Sequence, residues 1–212
     1  MEATAKKRYE LTESEIEFIR GNTDLSREEI ERWFGEFRAR CVDGRLDPDQ
    51  FLAFYARLFR GGGGGKLNTA TQQEKHSPEM VEYGRSVFGA FDTDHSGSVD
   101  FAEFVIGFWV RARGSLRDKL AWLFGVYDAD RTGYIAQWRL IRAVELLYAI
   151  KGINNKSKEG RDDDDDVEEE PYSLVTRLFR TADRNGDGRL SREEFIAGCM
   201  RDEKLRRLLA PF

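Results

Sequence analysis

Apolar residues recur at helical spacing along most of the chain, as Ile30, Phe34 and Phe37 do. Strand-like alternation of apolar and polar residues is confined to triplets, such as residues 97–99 and 188–190. A period of three to four residues predicts amphipathic helices that each bury one face. The sequence therefore predicts an all-α fold class in which strands make only short contacts.

Capping signals mark where several of these helices should begin. Thr12 and Ser26 each precede a glutamate by three residues, and Ser115 precedes an aspartate by the same interval. This spacing is typical of a capping box, in which two side chains satisfy the free N–H groups of a first turn. Pro78 and Pro171 suit a first turn because proline has no N–H to leave unpaired. We therefore expect helices to begin at or next to these five positions.

Two stretches interrupt the helical pattern. Residues 61–77 include five consecutive glycines followed by polar residues. Residues 151–170 are polar and then acidic, and residues 162–166 and 168–170 together carry eight negative charges. Glycine-rich chain loses much entropy on ordering, and like charges repel one another. We therefore expect a flexible insertion at 61–77 and a solvated acidic insertion at 151–170.

A twelve-residue pattern occurs at residues 92–103 (the 92 loop) and at residues 183–194 (the 183 loop). Each copy has oxygen-bearing side chains at positions 1, 3 and 5, glycine at 6, an apolar residue at 8 and glutamate at 12. Calcium takes six to eight oxygen ligands, and a chain wrapped around the ion supplies them at this spacing. Position 7 needs only its carbonyl, and the glutamate provides two oxygens. The expected ligands are Asp92, Asp94, Ser96, the Ser98 carbonyl and Glu103 in the first loop, and Asp183, Asn185, Asp187, the Arg189 carbonyl and Glu194 in the second.

Two further copies of the pattern have lost ligands. Residues 128–139 (the 128 loop) match the pattern up to position 8 but carry Arg139 at position 12. A cation there removes two oxygens and repels a divalent ion, so we expect weak or no calcium binding. Residues 39–50 (the 39 loop) keep Gly44 and Leu46, yet three positions that should carry ligands have lost them. We expect this loop to be structural.

A single helix–loop–helix hand cannot bury its own apolar face, so the four hands should pair into two lobes. Each lobe would then hold one intact and one degenerate loop. The predicted boundaries are 10–60 for the degenerate first hand, 78–113 for the second, 114–150 for the degenerate third, and 171–212 for the fourth hand with a C-terminal helix.

Several stretches of the chain resemble the neuronal calcium sensor family, which includes recoverin, visinin-like proteins and guanylate cyclase activating proteins. The resemblance extends over roughly residues 10–210 and identifies the chain as a divergent member. It implies four EF-hands and regulation of a target protein. The matching stretches are residues 31–37 with Cys41, residues 101–110 and 113–122, and residues 190–198 with 205–209.

The resemblance also implies a hydrophobic groove in the N-terminal lobe that takes a helical segment of a cyclase, a kinase or a channel. In calcium sensors, the position-12 glutamate moves towards the ion and reorients the helix that follows it. Glu103 and Glu194 would have that role here. For most of the aromatic candidates for the groove, a place in the lobe core is the alternative. These candidates are Trp33, Phe37, Phe51, Phe54, Tyr55, Phe88, Phe101, Phe104 and Phe108.

Composition narrows the remaining classes of function. The formal net charge is −5 and the basic residues are scattered, so a nucleic-acid partner is not expected. No apolar stretch approaches the length of a membrane helix, and Glu2 stands where a myristoylated glycine would be needed. The two cysteines, Cys41 and Cys199, suit reduced thiols in the cytoplasm. We expect a cytoplasmic protein without a stable membrane anchor of its own, which a partner could bring to membranes.

Calcium is the expected cofactor, and magnesium at rest is left open. No nucleophile–base pair, phosphate loop or zinc spacing is present in the sequence, so an enzyme is not expected. A calcium buffer without a dedicated target is the alternative to a sensor. A buffer would expose little new apolar surface when calcium binds.

Overall fold

The computed structural model describes residues 9–39, 41, 43–60, 77–151 and 169–209. The predictions for the two insertions fall almost wholly outside these described residues. Among the helices of the described ranges, none combines the length and the hydropathy that a membrane span requires.

Ten helices and four short strands form within the described ranges. Their residues fall into two compact units, the first within Met1–Leu67 and Phe88–Gly114 and the second within Asn68–Val87 and Ser115–Phe212. In chain order the elements are α1 (Glu13–Asn22), α2 (Arg27–Arg38), β1 (Arg45–Leu46), α3 (Pro48–Arg60), α4 (Pro78–Phe91), β2 (Val99–Asp100), α5 (Phe101–Arg113), α6 (Leu116–Tyr127), β3 (Tyr134–Ala136), α7 (Gln137–Lys151), α8 (Pro171–Ala182), β4 (Arg189–Ser191), α9 (Arg192–Arg201) and α10 (Glu203–Leu209).

The predicted helix starts are confirmed. Thr12, Ser26 and Ser115 each cap a helix in a reciprocal capping box with the acidic residue three positions later. Pro78 and Pro171 are the first residues of α4 and α8. Local spacing was sufficient here because a capping box joins groups only three residues apart.

In each unit, one short antiparallel strand pair joins the two loops. β1 pairs with β2, placing Leu46 opposite Val99, and β3 pairs with β4, placing Ile135 opposite Leu190. These four residues stand at position 8 of their loops, and all four are buried. The all-α fold class with short strand contacts is therefore confirmed.

An aromatic cluster forms the core of the first unit. Phe104 on α5 contacts the rings of Phe37, Phe54 and Phe91, with centroid distances of 5.5, 4.8 and 6.2 Å. Phe101 packs against Phe37 at 5.4 Å. The helices flanking the 39 and 92 loops therefore share one core, which fixes the position of both loops.

In the second unit, the C-terminal helix α10 packs against α7 and α9. Its three leucines, Leu205, Leu208 and Leu209, are buried at helical spacing. Arg177 on α8 pairs with Asp202 just before α10, and also with Glu169 at 2.8 Å. The described part of the C-terminal segment is thus a packed element of the second unit.

Gly44, at position 6 of the 39 loop, is required for two separate reasons. Its φ is +77°, a conformation that L side chains rarely adopt. A Cβ at this position would lie 2.5 Å from Cγ of Tyr9. Both the turn and the packing against Tyr9 therefore require glycine at this position.

We predict that Gly44→Ala lowers the free energy of unfolding by about 2 kcal/mol, from backbone strain and overpacking. Gly35→Ala on α2 is the matched control, because nothing lies within 4 Å of a Cβ added there. That control should keep or raise stability, by up to about 1 kcal/mol. Urea unfolding followed by circular dichroism measures both, and equal stabilities would contradict the account of Gly44.

Candidate metal centres

The 92 loop brings three of its predicted ligands together between α4 and α5. Asp92, Asp94 and Glu103 each offer a carboxylate oxygen, and these oxygens lie within 4.8 Å of one another. Oxygens that share one calcium ion lie at most roughly 5 Å apart, since each is about 2.3–2.6 Å from the ion. The spacing therefore fits a single calcium ion. Asp92 is buried and Asp94 is exposed, so the site lies at the surface.

Hydrogen bonds within the 92 loop hold it curled around this point. The Asp92 carboxylate accepts from the N–H groups of Ser96 and Gly97 at 3.0 and 3.1 Å. Gly97 has a φ of +77°, and His95 at position 4 has a φ of +60°. The Ser96 hydroxyl donates to the Ser98 carbonyl at 2.8 Å. The oxygens predicted as ligands at positions 5 and 7 are therefore neighbours.

Glu103 lies in the first turn of α5 and already reaches the start of its loop. Its Oε1 accepts from the N–H groups of Thr93 and Asp94 at 2.7 and 3.2 Å. Its Oε2 accepts from the N–H of Asp100 at 3.1 Å, completing a capping box. Burial raises the pKa of Asp100 above its usual value, and the nearby charge of Glu103 acts in the same direction. The position-12 carboxylate is therefore held beside the other predicted ligands.

The 183 loop has the same curl between α8 and α9. Asp183 accepts from the N–H groups of Gly186 and Gly188 at 2.8 and 2.9 Å. Glu194 accepts from the N–H and the hydroxyl of Ser191 at 3.0 and 2.8 Å. These hydrogen bonds from Ser191 lower the pKa of Glu194, which favours the ionised form that a metal needs.

The side chains at positions 3 and 5 of the 183 loop bind each other. Asn185 Nδ2 donates to Asp187 at 3.0 Å, and Asn185 Oδ1 accepts from the Asp187 N–H at 3.2 Å. Within the described part of the chain, the acids of this loop do not form a second three-carboxylate group at the spacing of the 92 loop. Among the described residues, the structure thus brings the three acidic ligands of the 92 loop together but not the three of the 183 loop.

In the 128 loop an arginine lies among the would-be ligands. Arg139 at position 12 forms an ion pair with Asp130 at position 3. Its guanidinium also lies over the ring of Trp138, 4.8 Å from the ring centroid. Asp128 still accepts from the Gly133 N–H at 2.8 Å, as Asp92 and Asp183 do from their position-6 glycines. The sequence showed that the glutamate at position 12 is replaced, but the ion pair between Arg139 and Asp130 could be recognised only in the structure.

The 39 loop keeps its helix start without a ligand set. Asp47 and Gln50, at positions 9 and 12, cap α3 reciprocally at 2.8 and 3.1 Å. Residues 40 and 42 lie outside the described residues.

The nine aromatic candidates for the groove lie in the first unit. Trp33, Phe88 and Phe108 are half-buried, and the Trp33 and Phe108 rings are 4.8 Å apart. The other six are buried in the core: Phe37, Phe51, Phe54, Tyr55, Phe101 and Phe104. In this conformation, six of the nine residues therefore pack as core, and three lie at its partly exposed edge.

Two exposed aromatic residues were not singled out from the sequence. Trp138 and Tyr172 are each 65% exposed. Both line a shallow cavity of about 370 Å³ in the second unit. An apolar pattern at helical spacing does not separate such residues from core residues, so only their exposure distinguishes them.

A contact at the far end of α5 was also missed. Trp109 Nε1 donates to Asp24 at 2.5 Å, and Arg113 donates to the same carboxylate at 3.3 Å. The hydrogen bond from Trp109 is the main reason that the pKa of Asp24 is lowered. Asp24 lies between α1 and α2, so this contact ties the helix that carries Glu103 to the start of the first unit.

Comparisons with known proteins agree with this geometry. Residues 117–200 match the family model of an EF-hand domain pair, and residues 85–108 match that of an EF hand. The chain is 32% identical over 192 residues to guanylyl cyclase-activating protein 2 of Gallus gallus, which covers 88% of this chain and 84% of that protein.

Two further relatives extend over comparable lengths. Guanylyl cyclase-activating protein 2 of Lithobates pipiens is 32% identical over 181 residues, which covers 85% of this chain and 81% of that protein. Visinin of Gallus gallus is 26% identical over 199 residues, covering 94% and 93%. The chain therefore belongs to the neuronal calcium sensor family of EF-hand, calcium-binding proteins.

Proposed function

We propose that this protein is a sensor that binds two calcium ions, one in the 92 loop and one in the 183 loop, and regulates a target protein. The observation that carries the proposal is the close approach of the carboxylate oxygens of Asp92, Asp94 and Glu103, which lie within 4.8 Å of one another. Arg139 supports two calcium ions rather than three. Its ion pair with Asp130 places a positive charge where the 128 loop would otherwise bind an ion.

Each site would use the ligands that its spacing predicts. In the 92 loop, Asp100 at position 9 would act directly or through water. In the 183 loop, Ser191 would act through water, and the contact between Asn185 and Asp187 must open to admit the ion. A bound calcium ion supplies the divalent charge that offsets the repulsion between the carboxylates.

The step from binding to signal would run through α5. Glu103 begins this helix, and Phe104 and Phe108 on the same helix belong to the aromatic core. As the Glu103 carboxylate turns from the N–H groups of Thr93 and Asp94 towards the ion, α5 would tilt. That tilt would separate the rings around Phe104 and open the groove, and it would strain the hydrogen bond from Trp109.

The target would present a helical segment to this groove. Two relatives are named for the activation of guanylyl cyclase, which makes a guanylyl cyclase the first target to test. A kinase and an ion channel are the next classes of target protein to test. We propose a cytoplasmic, non-enzymatic regulator that reaches membranes through its partner, and the buried free thiols of Cys41 and Cys199 suit a reducing compartment.

Calcium titration calorimetry tests the two sites. The parent should show two binding events, and Glu103→Gln and Glu194→Gln should each abolish one of them, because glutamine cannot supply two anionic oxygens. Glu193→Gln is the matched control, since Glu193 is exposed and stands at position 11, outside the ligand set. A parent without binding, or two events surviving in either position-12 variant, would refute the assignment.

Replacing Arg139 tests the degenerate third loop. Arg139→Glu removes the ion pair with Asp130 and restores the two oxygens, so calorimetry should show a third event. Arg139→Gln removes the cation without adding the carboxylate and should gain little or no binding. The assignment is wrong if the parent already binds three ions, or if Arg139→Glu still binds only two.

Apolar dye fluorescence with and without calcium separates a sensor from a buffer. A sensor should give a calcium-dependent rise that is lost in Glu103→Gln, because that variant cannot tilt α5. A buffer should give no rise.

A guanylyl cyclase assay across calcium concentrations should then show activity that depends on calcium when the parent is present. The double variant Glu103→Gln/Glu194→Gln should lose that dependence. A dye response without any effect on a cyclase would keep the sensor and exclude this target.

A further inference from the structure

We propose that Arg45, in the degenerate 39 loop, is a counter-cation for the 92 loop and lowers its calcium affinity in a salt-dependent way. This rests on the proposed function, since it takes the 92 loop as a calcium site. The degenerate loop would then regulate its intact partner as well as support it.

The strand pair places Arg45 next to the site. Arg45 at position 7 of its loop pairs with Asp100 at position 9 of the 92 loop. Its Nη1 donates to the Ser98 hydroxyl at 3.1 Å, and that hydroxyl lies 3.1 Å from the hydroxyl of Ser96. Ser96 and the Ser98 carbonyl are predicted ligands. One hydrogen bond therefore joins the guanidinium to a residue that would coordinate the ion.

The contact of Arg45 with Ser98 would affect calcium binding because the 92 loop is negatively charged. The loop contains four acids and neither lysine nor arginine, so its nearby cation comes from the partner loop. The positive charge of Arg45 acts on the carboxylates of both Asp94 and Asp100 and favours their ionised forms. Hydrogen bonds from Ser96 are the main reason that the pKa of Asp94 is lowered, and Arg45 adds to that effect. At Asp100 Arg45 opposes the rise in pKa that burial causes.

A fixed cation at this distance lowers calcium affinity in two ways. It repels the incoming divalent ion, and it stabilises the calcium-free loop by offsetting the repulsion among the four acids. Because Arg45 is exposed, dissolved salt screens both effects. The Coulomb energy of charges several ångströms apart near water corresponds to roughly a three- to tenfold change in affinity.

The second unit provides an internal comparison. There Tyr134 stands at position 7 of the degenerate loop and pairs with Ser191 of the 183 loop. Tyr134 carries no positive charge, but the 183 loop has three arginines of its own, Arg184, Arg189 and Arg192. The counter-cations thus come from across the strand pair in one unit and from within the loop in the other.

The test uses the full chain with Glu194→Gln, so that only the 92 loop titrates. In this background Arg45→Gln should raise calcium affinity by about three- to tenfold at low KCl, and the gain should shrink at high KCl. Arg45→Lys keeps the charge and should retain the parental affinity. Both variants keep the backbone pairing with Asp100, so a difference between them reports the charge.

The converse test introduces an arginine at the equivalent position of the second unit. It uses Tyr134→Arg in the Glu103→Gln background, so that only the 183 loop titrates. That substitution should lower the calcium affinity of the 183 loop by a similar factor at low KCl, and that loss should shrink at high KCl. Equal affinities for Arg45→Gln and Arg45→Lys, whether parental or changed together, would overturn the proposal, because a packing role does not distinguish the two. A Glu194→Gln background without any calcium event would instead overturn the proposed function of the 92 loop, and this inference with it.

Discussion

The antiparallel pairing of two loops, through only two or three residues in each strand, is the constraint on which both units depend. It places Leu46 against Val99 and Ile135 against Leu190, and all four side chains are buried where the flanking helices meet. An isolated two-stranded contact of this length is marginal in water, so it persists because helices cover it. Neither intact loop has a partner strand without its degenerate neighbour, which explains why loops that have lost ligands keep their shape.

The two degenerate loops have lost calcium chemistry in different ways. The 39 loop has few ligands left, and its turn is held by Gly44 and by the capping pair of Asp47 and Gln50. The 128 loop keeps Asp128 and its curl but carries a built-in cation in Arg139. One loop therefore lacks carboxylates at positions 1, 3 and 12, and the other neutralises a carboxylate at position 3 with its own arginine. Each kind of loss leaves the strand pair and the buried position 8 intact.

The sequence predicted features that involve residues close together in the chain, and it missed contacts between residues that only the fold brings together. The capping boxes at Thr12 and Ser26 and the turn at Gly97 involve groups only a few residues apart, so the pattern was sufficient. The contact between Arg45 and Ser98 joins residues 53 apart, and no local pattern contains it. Groove and core both need apolar side chains at helical spacing, so the sequence could not separate them.

The most direct test of two intact and two degenerate loops is a calcium titration followed by ¹H–¹⁵N NMR of the position-6 glycines. The Gly97, Gly133 and Gly188 N–H groups donate to Asp92, Asp128 and Asp183. An ion bound by the aspartate must change that hydrogen bond and so the resonance of its proton. We expect large shifts for Gly97 and Gly188, with Gly133 and Gly44 nearly unchanged. Shifts at Gly133 equal to those at Gly97, or none at Gly97 and Gly188, would contradict this expectation.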